Sequence, residues 1–193
     1  MTIGRAARRA ERAPLVESVI GEPQSPAALD LLELLEFAWH DTDGEITPPD
    51  DVIVNILICS RGDLATMIAA VRLAIEDWRD LQRWAEDPAS RAVPRDGRRR
   101  PPSAGEAARR AARLPLVESV LGKQHAPAGL DLLEVLDYYW HDVGEKRASF
   151  DGTIADILTC SRGDLAMMIR AAYTDTRDLR LWAQDVRAEG NPS

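Results

Sequence analysis

Apolar residues recur at intervals of three and four along most of this chain, the spacing that gives an α-helix one buried face. From Ser25 or Pro26 to His40, a helical wheel puts Leu31, Leu32, Leu35, Ala38 and Trp39 on one side and Glu33, Glu36 and His40 on the other. Thr47-Pro48-Pro49-Asp50 has the residues of a helix start: a capping hydroxyl, prolines where no amide donor is missed, and an acid in the first turn. The run VIVNILIC after it suits a buried strand as well as a helix, because β-branched residues fit a pleated surface. Gly62 is expected to close that segment with a left-handed turn, and Asp63 or Ser60 to cap the next. Leu64, Met67, Ile68, Val71, Ile75, Trp78, Leu81 and Trp84 then predict one continuous helix. A short leading helix is expected around Leu15–Ile20, extended backward through the Ala/Arg tract.

The chain is written twice. PLVESVIG (14–21) returns as PLVESVLG (115–122), LDLLELLEFAWHD (29–41) as LDLLEVLDYYWHD (130–142), and CSRGDLA (59–65) unchanged at 160–166. Residues 14–68 match 115–169 at 31 of 55 positions with no net gap, so two copies of one unit are expected rather than a solenoid of short repeats. Beyond Ile68 the offset falls from 101 to 98, a loss of three residues from the last helix of the second copy. The second copy also resolves the ambiguous run: TIADILTC keeps Ile154, Ile157 and Leu158 at helical spacing, and a strand would have no coherent apolar face. The expected fold is therefore all-α: a tandem duplication of a roughly four-helix bundle unit, joined by a Pro/Arg-rich linker. Its parts are a basic N-terminal segment (1–13), helical repeat 1 (14–87), the linker (88–106), helical repeat 2 (107–187) and a tail (188–193).

Composition narrows the function. The chain has 193 residues, 45% hydrophobic and 29% charged, enough for a core and too apolar for a disordered chain. It has no apolar run long enough to cross a membrane and no secretory h-region, and its two cysteines make no disulfide framework, so the cytoplasm is the expected compartment. Charge is partitioned: +3 over 1–13, −12 over 14–87, +6 over 88–114 and −5 over 115–193. The net −8 argues against general nucleic-acid binding, leaving the Arg-rich linker as the one segment suited to it.

Asp30, Glu33, Glu36 and His40 in the first copy, with Asp131, Glu134, Asp137 and His141 in the second, form the candidate binding face. Asp50 and Asp51 extend it in repeat 1. An acidic helix face steers onto basic partners, and Glu33→Lys with Glu36→Lys is expected to weaken capture without harming the fold. Carboxylates at i and i+3 followed by His are also hard-to-borderline metal ligands, and Glu33, Glu36, His40, Asp77 and Asp80 make a candidate Mg²⁺ or Mn²⁺ set. Cys59 and Cys160 read as small buried hydrophobes, and Arg61-Gly62-Asp63 as an interhelical turn rather than an adhesion signal. Trp39, Trp84, Trp140 and Trp182 read as core, while Tyr138 and Tyr139 make the second repeat more aromatic.

The paired acidic helices look like the Mg²⁺ site of all-helical nucleotide pyrophosphohydrolases of the MazG type, though Asp stands for Glu in the second pair and no nearby Lys supplies a phosphate clamp. The pattern WHD…CSRGDL…DWRDL itself resembles a group of small helical bacterial proteins, a resemblance that brings no activity with it. The leading expectation is a non-catalytic cytoplasmic binding or regulatory protein, antitoxin-, immunity- or adaptor-like, that takes a basic protein partner and needs no cofactor. The alternative is a metal-dependent nucleotide or phosphoester hydrolase.

Overall fold

A computed structural model describes residues 4–39, 47–87, 103–142 and 148–189, and every regular element among them is a helix. The chain divides into two compact units, Met1–Val93 and Pro94–Ser193. No helix among the described residues is long and apolar enough to cross a membrane.

Unit 1 contains α1 (Arg5–Ile20), α2 (Ser25–Ala38), α3 (Asp50–Ser60) and α4 (Leu64–Glu86). Helix α2 lies at its centre: Leu31, Leu32, Leu34 and Leu35 are all 2% exposed or less, so the helix is apolar around most of its circumference. It packs on α1 and α4, and α3 packs on α4 and α1. Ile56, Met67, Ile68, Leu73 and Leu81 complete the core, and Trp84 is buried with them. At ~25 cal/mol per Å² of apolar surface removed from water, this layer of large aliphatics is the main stabilising term.

Unit 2 contains α5 (Ala104–Asp142), α6 (Ala148–Ser161), α7 (Leu165–Tyr173) and α8 (Thr176–Glu189). Helix α5 is two helices run together across Gly122, whose φ of 73° and ψ of 164° belong to a region only glycine enters readily. Gly21 breaks the chain between α1 and α2 in a similar conformation, φ 89° and ψ 151°. Leu132, Leu133, Leu136, Ile157, Met168, Ile169 and Leu179 form the core of unit 2.

The leading helix does run backward through the Ala/Arg tract, so that from Arg5 onward the basic segment 1–13 is the first half of α1. Several other expectations need correction. Helix α2 stops at Ala38, with Trp39 extended, so His40 falls outside both that helix and the described residues. Thr47 does not cap α3. Pro49 takes the N-cap position with no side-chain hydrogen bond (φ −57°, ψ 153°), because Thr47 and Pro48 each precede a proline and are disfavoured from the helical region, which delays the helix until Asp50. The linker ends earlier than 106. Ser103 and Glu106 form a reciprocal capping box, the Ser103 amide donating to the Glu106 carboxylate (2.6 Å) and the Glu106 amide to Ser103 Oγ (3.2 Å). Residues 88–102 and 190–193, the rest of the linker and most of the tail, lie outside the described residues.

The last helix is also not continuous. In α4 Asp77 is extended (φ −161°, ψ 98°) and its carboxylate accepts the Arg79 amide at 3.0 Å. In unit 2 the same break falls between α7 and α8, where Asp175 accepts the Arg177 amide at 2.9 Å. Each aspartate starts a new helix by capping it. That is a stronger local preference than the apolar spacing running through the position.

Candidate functional site: an acidic rail under an arginine arm

The Arg-Gly-Asp turns behave as the sequence suggests and add one feature. Arg61 (φ 51°) and Gly62 (φ 79°) are both left-handed, and Asp63 caps α4 by accepting the Thr66 amide at 2.7 Å. Arg162 (φ 49°), Gly163 (φ 86°) and Asp164, which accepts the Met167 amide at 2.8 Å, repeat this in unit 2. A Cβ on Gly62 would stand 2.9 Å from the Val19 carbonyl oxygen, so the turn is seated against the end of α1. Ser60 and Ser161, both completely buried, donate to the Leu57 and Leu158 carbonyls and brace the turns from inside.

Cys59 and Cys160 are free and buried. Their thiols face the Leu81 and Leu179 carbonyl oxygens at 3.9 and 4.0 Å. Burial pushes the Cys59 thiol up to about 12, Arg61 opposing it only in part, and burial also raises Cys160. Both remain protonated thiols near neutral pH, the wrong form for a nucleophile.

The acidic face of α2 does not front solvent. Asp30 and Glu33 are 8% and 5% exposed. Arg8, Arg9 and Arg12 of α1 lie across that face. Arg8 donates from Nε and Nη2 to the two Glu36 oxygens at 3.0 and 2.8 Å, and Arg12 donates to Glu36 at 2.6 Å. Arg9 reaches Glu33 at 2.6 Å and Asp30 at 2.8 Å, and Arg5 lies over the Phe37 ring at 4.3 Å.

Unit 2 carries the same arrangement 101 residues on. Arg110 pairs with Asp131 (2.9 Å) and Glu134 (2.6 Å). Arg113 grips both Asp137 oxygens (2.8 and 3.0 Å), with Arg109 at 3.8 Å from the same carboxylate. In both units the basic residues stand as Arg-Arg-x-x-Arg and the acids at i, i+3 and i+6.

The candidate residues thus come together as a charge rail rather than as an open surface. Glu33→Lys and Glu36→Lys, expected from sequence to spare the fold, would instead set lysines in place of shielded carboxylates against the half-buried Arg8, Arg9 and Arg12. His40 is outside the described residues, and His141 lies in α5 with its side chain undescribed. Asp77 is occupied as a cap and Asp80 is paired with Arg83, so neither joins Glu33 and Glu36. Among the described residues no three His, Cys, Asp or Glu side chains come together in an arrangement that could hold a metal ion. Of the four repeated tryptophans, Trp84 is core, Trp39 and Trp182 are half-buried, and the Trp140 side chain is undescribed. Asp50 and Asp51 are exposed at the start of α3.

Sequence reasoning missed the arm as part of the site. The signal was present: three arginines within five residues, able to share a helix face, preceding three acids at helical spacing, twice over.

No family model matches the chain, and no curated protein or solved structure matches it either.

Proposed function

We propose that this chain is a non-catalytic cytoplasmic binding protein built from two copies of one four-helix module, with an antitoxin-, immunity- or adaptor-like role and a basic protein as its partner. One observation carries the reading: in each unit a row of three α2-type carboxylates is organised to hold three arginines of a helix. Charge-assisted, forked hydrogen bonds of this kind are the strongest that side chains make, and they favour guanidinium groups over other cations. The acidity of residues 14–87, −12, far exceeds the +3 carried by residues 1–13, so repeat 1 keeps a net negative field that speeds encounter with a basic protein. Asp50 and Asp51 contribute to that field from an exposed position.

The test is affinity capture on the immobilised full chain from native lysate at about 0.05 and 0.3 M salt, a change that shortens the reach of charge by a factor of about 2.4. The reading expects a stoichiometric basic protein retained at low salt and eluted as salt rises. A folded bait that retains no basic protein at low salt contradicts it.

A further inference from the structure

We propose that the acidic rail of α2 is a receptor for a partner's arginine-rich helix with the spacing Arg-Arg-x-x-Arg, and that the arm Arg5–Ala13 is its displaceable occupant in cis. This rests on the basic-partner reading and adds to it a recognition code and a route of access.

The arm is attached without being anchored. No side chain from Arg5 to Ala13 is buried, and the two buried residues of α1, Val16 and Ile20, lie beyond Pro14. Proline has no amide to donate to the preceding turn, and its ring crowds that turn, so α1 is weakest where the arm joins the anchored half. Charge, rather than apolar burial, therefore holds the arm, and salt weakens charge while leaving the core intact. The second unit is built alike. From Ala104 to Leu114 nothing is buried, Pro115 follows, and Val117 is the first buried side chain.

The rail, in turn, dictates its occupant. Carboxylates as buried as Asp30 and Glu33 cannot be left without counter-charge, so the arm departs only as other cations replace it. Arg8 and Arg113 each address both oxygens of one carboxylate, a planar fork that a lysine ammonium cannot reproduce. Residues at i, i+1 and i+4 share one helix sector, so the occupant must also be helical and keep that spacing.

A fluorescent peptide of residues 4–13 is titrated onto the full chain and onto the full chain carrying R8A, R9A and R12A. The triple variant should take up the peptide at least about tenfold more tightly than the wild type, because its own competitor is gone. The same peptide with lysines for arginines should bind it about tenfold more weakly. Equal affinity for the two chains, or for the two peptides, overturns the proposal.

Should the triple variant not fold, hydrogen exchange on the wild type decides. Amides of the arm should exchange at least about tenfold faster as salt rises from about 0.05 to 0.5 M, while those of residues 15–20 stay protected. One common, salt-insensitive rate along α1 overturns it. So does a wild-type dimer that the peptide fails to dissociate, which would assign the rail to a second copy of this chain. Peptide uptake without capture of any basic protein supports the rail and removes the functional reading. Capture without peptide uptake does the reverse.

Discussion

At Glu36 burial and charge oppose each other within one carboxylate. Burial pushes it up, but hydrogen bonds and charge from Arg8 and Arg12 outweigh that and hold it below its ordinary 4.5. A carboxylate depressed in the folded state stabilises fully above its unfolded value, and that contribution is lost as pH falls through the depressed value. Acid should therefore loosen the rail, and urea melts taken from pH 7 down to pH 3 should show stability falling below about 4.5. Glu36→Gln should flatten that acid limb and cost about 1–3 kcal/mol at neutral pH. Gly62→Ala should cost a similar ~1–3 kcal/mol, since it meets both a left-handed backbone and the Val19 carbonyl oxygen at 2.9 Å. Denaturant titration measures both. Cys59, buried and protonated, should resist a thiol reagent at about pH 8 in the native chain and react once urea unfolds it. Glu36 was not legible in the sequence, but other single residues were. Gly62, Asp63 and the two cysteines act through local backbone chemistry and solvent exclusion, which residue type largely determines.

Elements were legible where one force dominated. The repeat settled the helical state of α3, and the apolar spacing found α2 and most of α4. Boundaries failed where a short polar residue competed with that spacing. Asp77 and Asp175 restart helices by capping them, and Ser103 with Glu106 opens α5 inside a stretch whose Pro, Arg and Gly content reads as linker. Replacing Asp63 or Asp164 with Ala should cost about 1 kcal/mol each, read as a lowered urea midpoint with an unchanged slope. The face of α2 was misread for a different reason. A wheel sorts the residues of one helix into apolar and polar sides, but it cannot say that a second helix brings guanidinium groups to the polar side. With leucines buried around the rest of its circumference, α2 is a central helix, and its acids are interior groups.

Across the whole molecule, the same solution stands in each of two units at a fixed offset. Arg8 on Glu36 corresponds to Arg109 on Asp137, Arg9 on Asp30 and Glu33 to Arg110 on Asp131 and Glu134, and Arg12 on Glu36 to Arg113 on Asp137. Several substitutions distinguish the two arms and rails: Asp137 stands for Glu36, Tyr138 for the Phe37 that carries Arg5, Glu106 for Arg5 itself and Ala112 for Glu11. Asp137 is more exposed than Glu36, with side-chain exposures of 26% and 7%, so the first rail should be the stronger and the later to yield to salt. Hydrogen exchange resolved along both arms checks that order. The most direct test of the charge rail is a double-mutant cycle between Arg12→Ala and Glu36→Gln, with stability measured by urea unfolding. The rail predicts a coupling energy of about 1 kcal/mol or more, shrinking as salt rises. Additivity of the two substitutions within about 0.5 kcal/mol would contradict it.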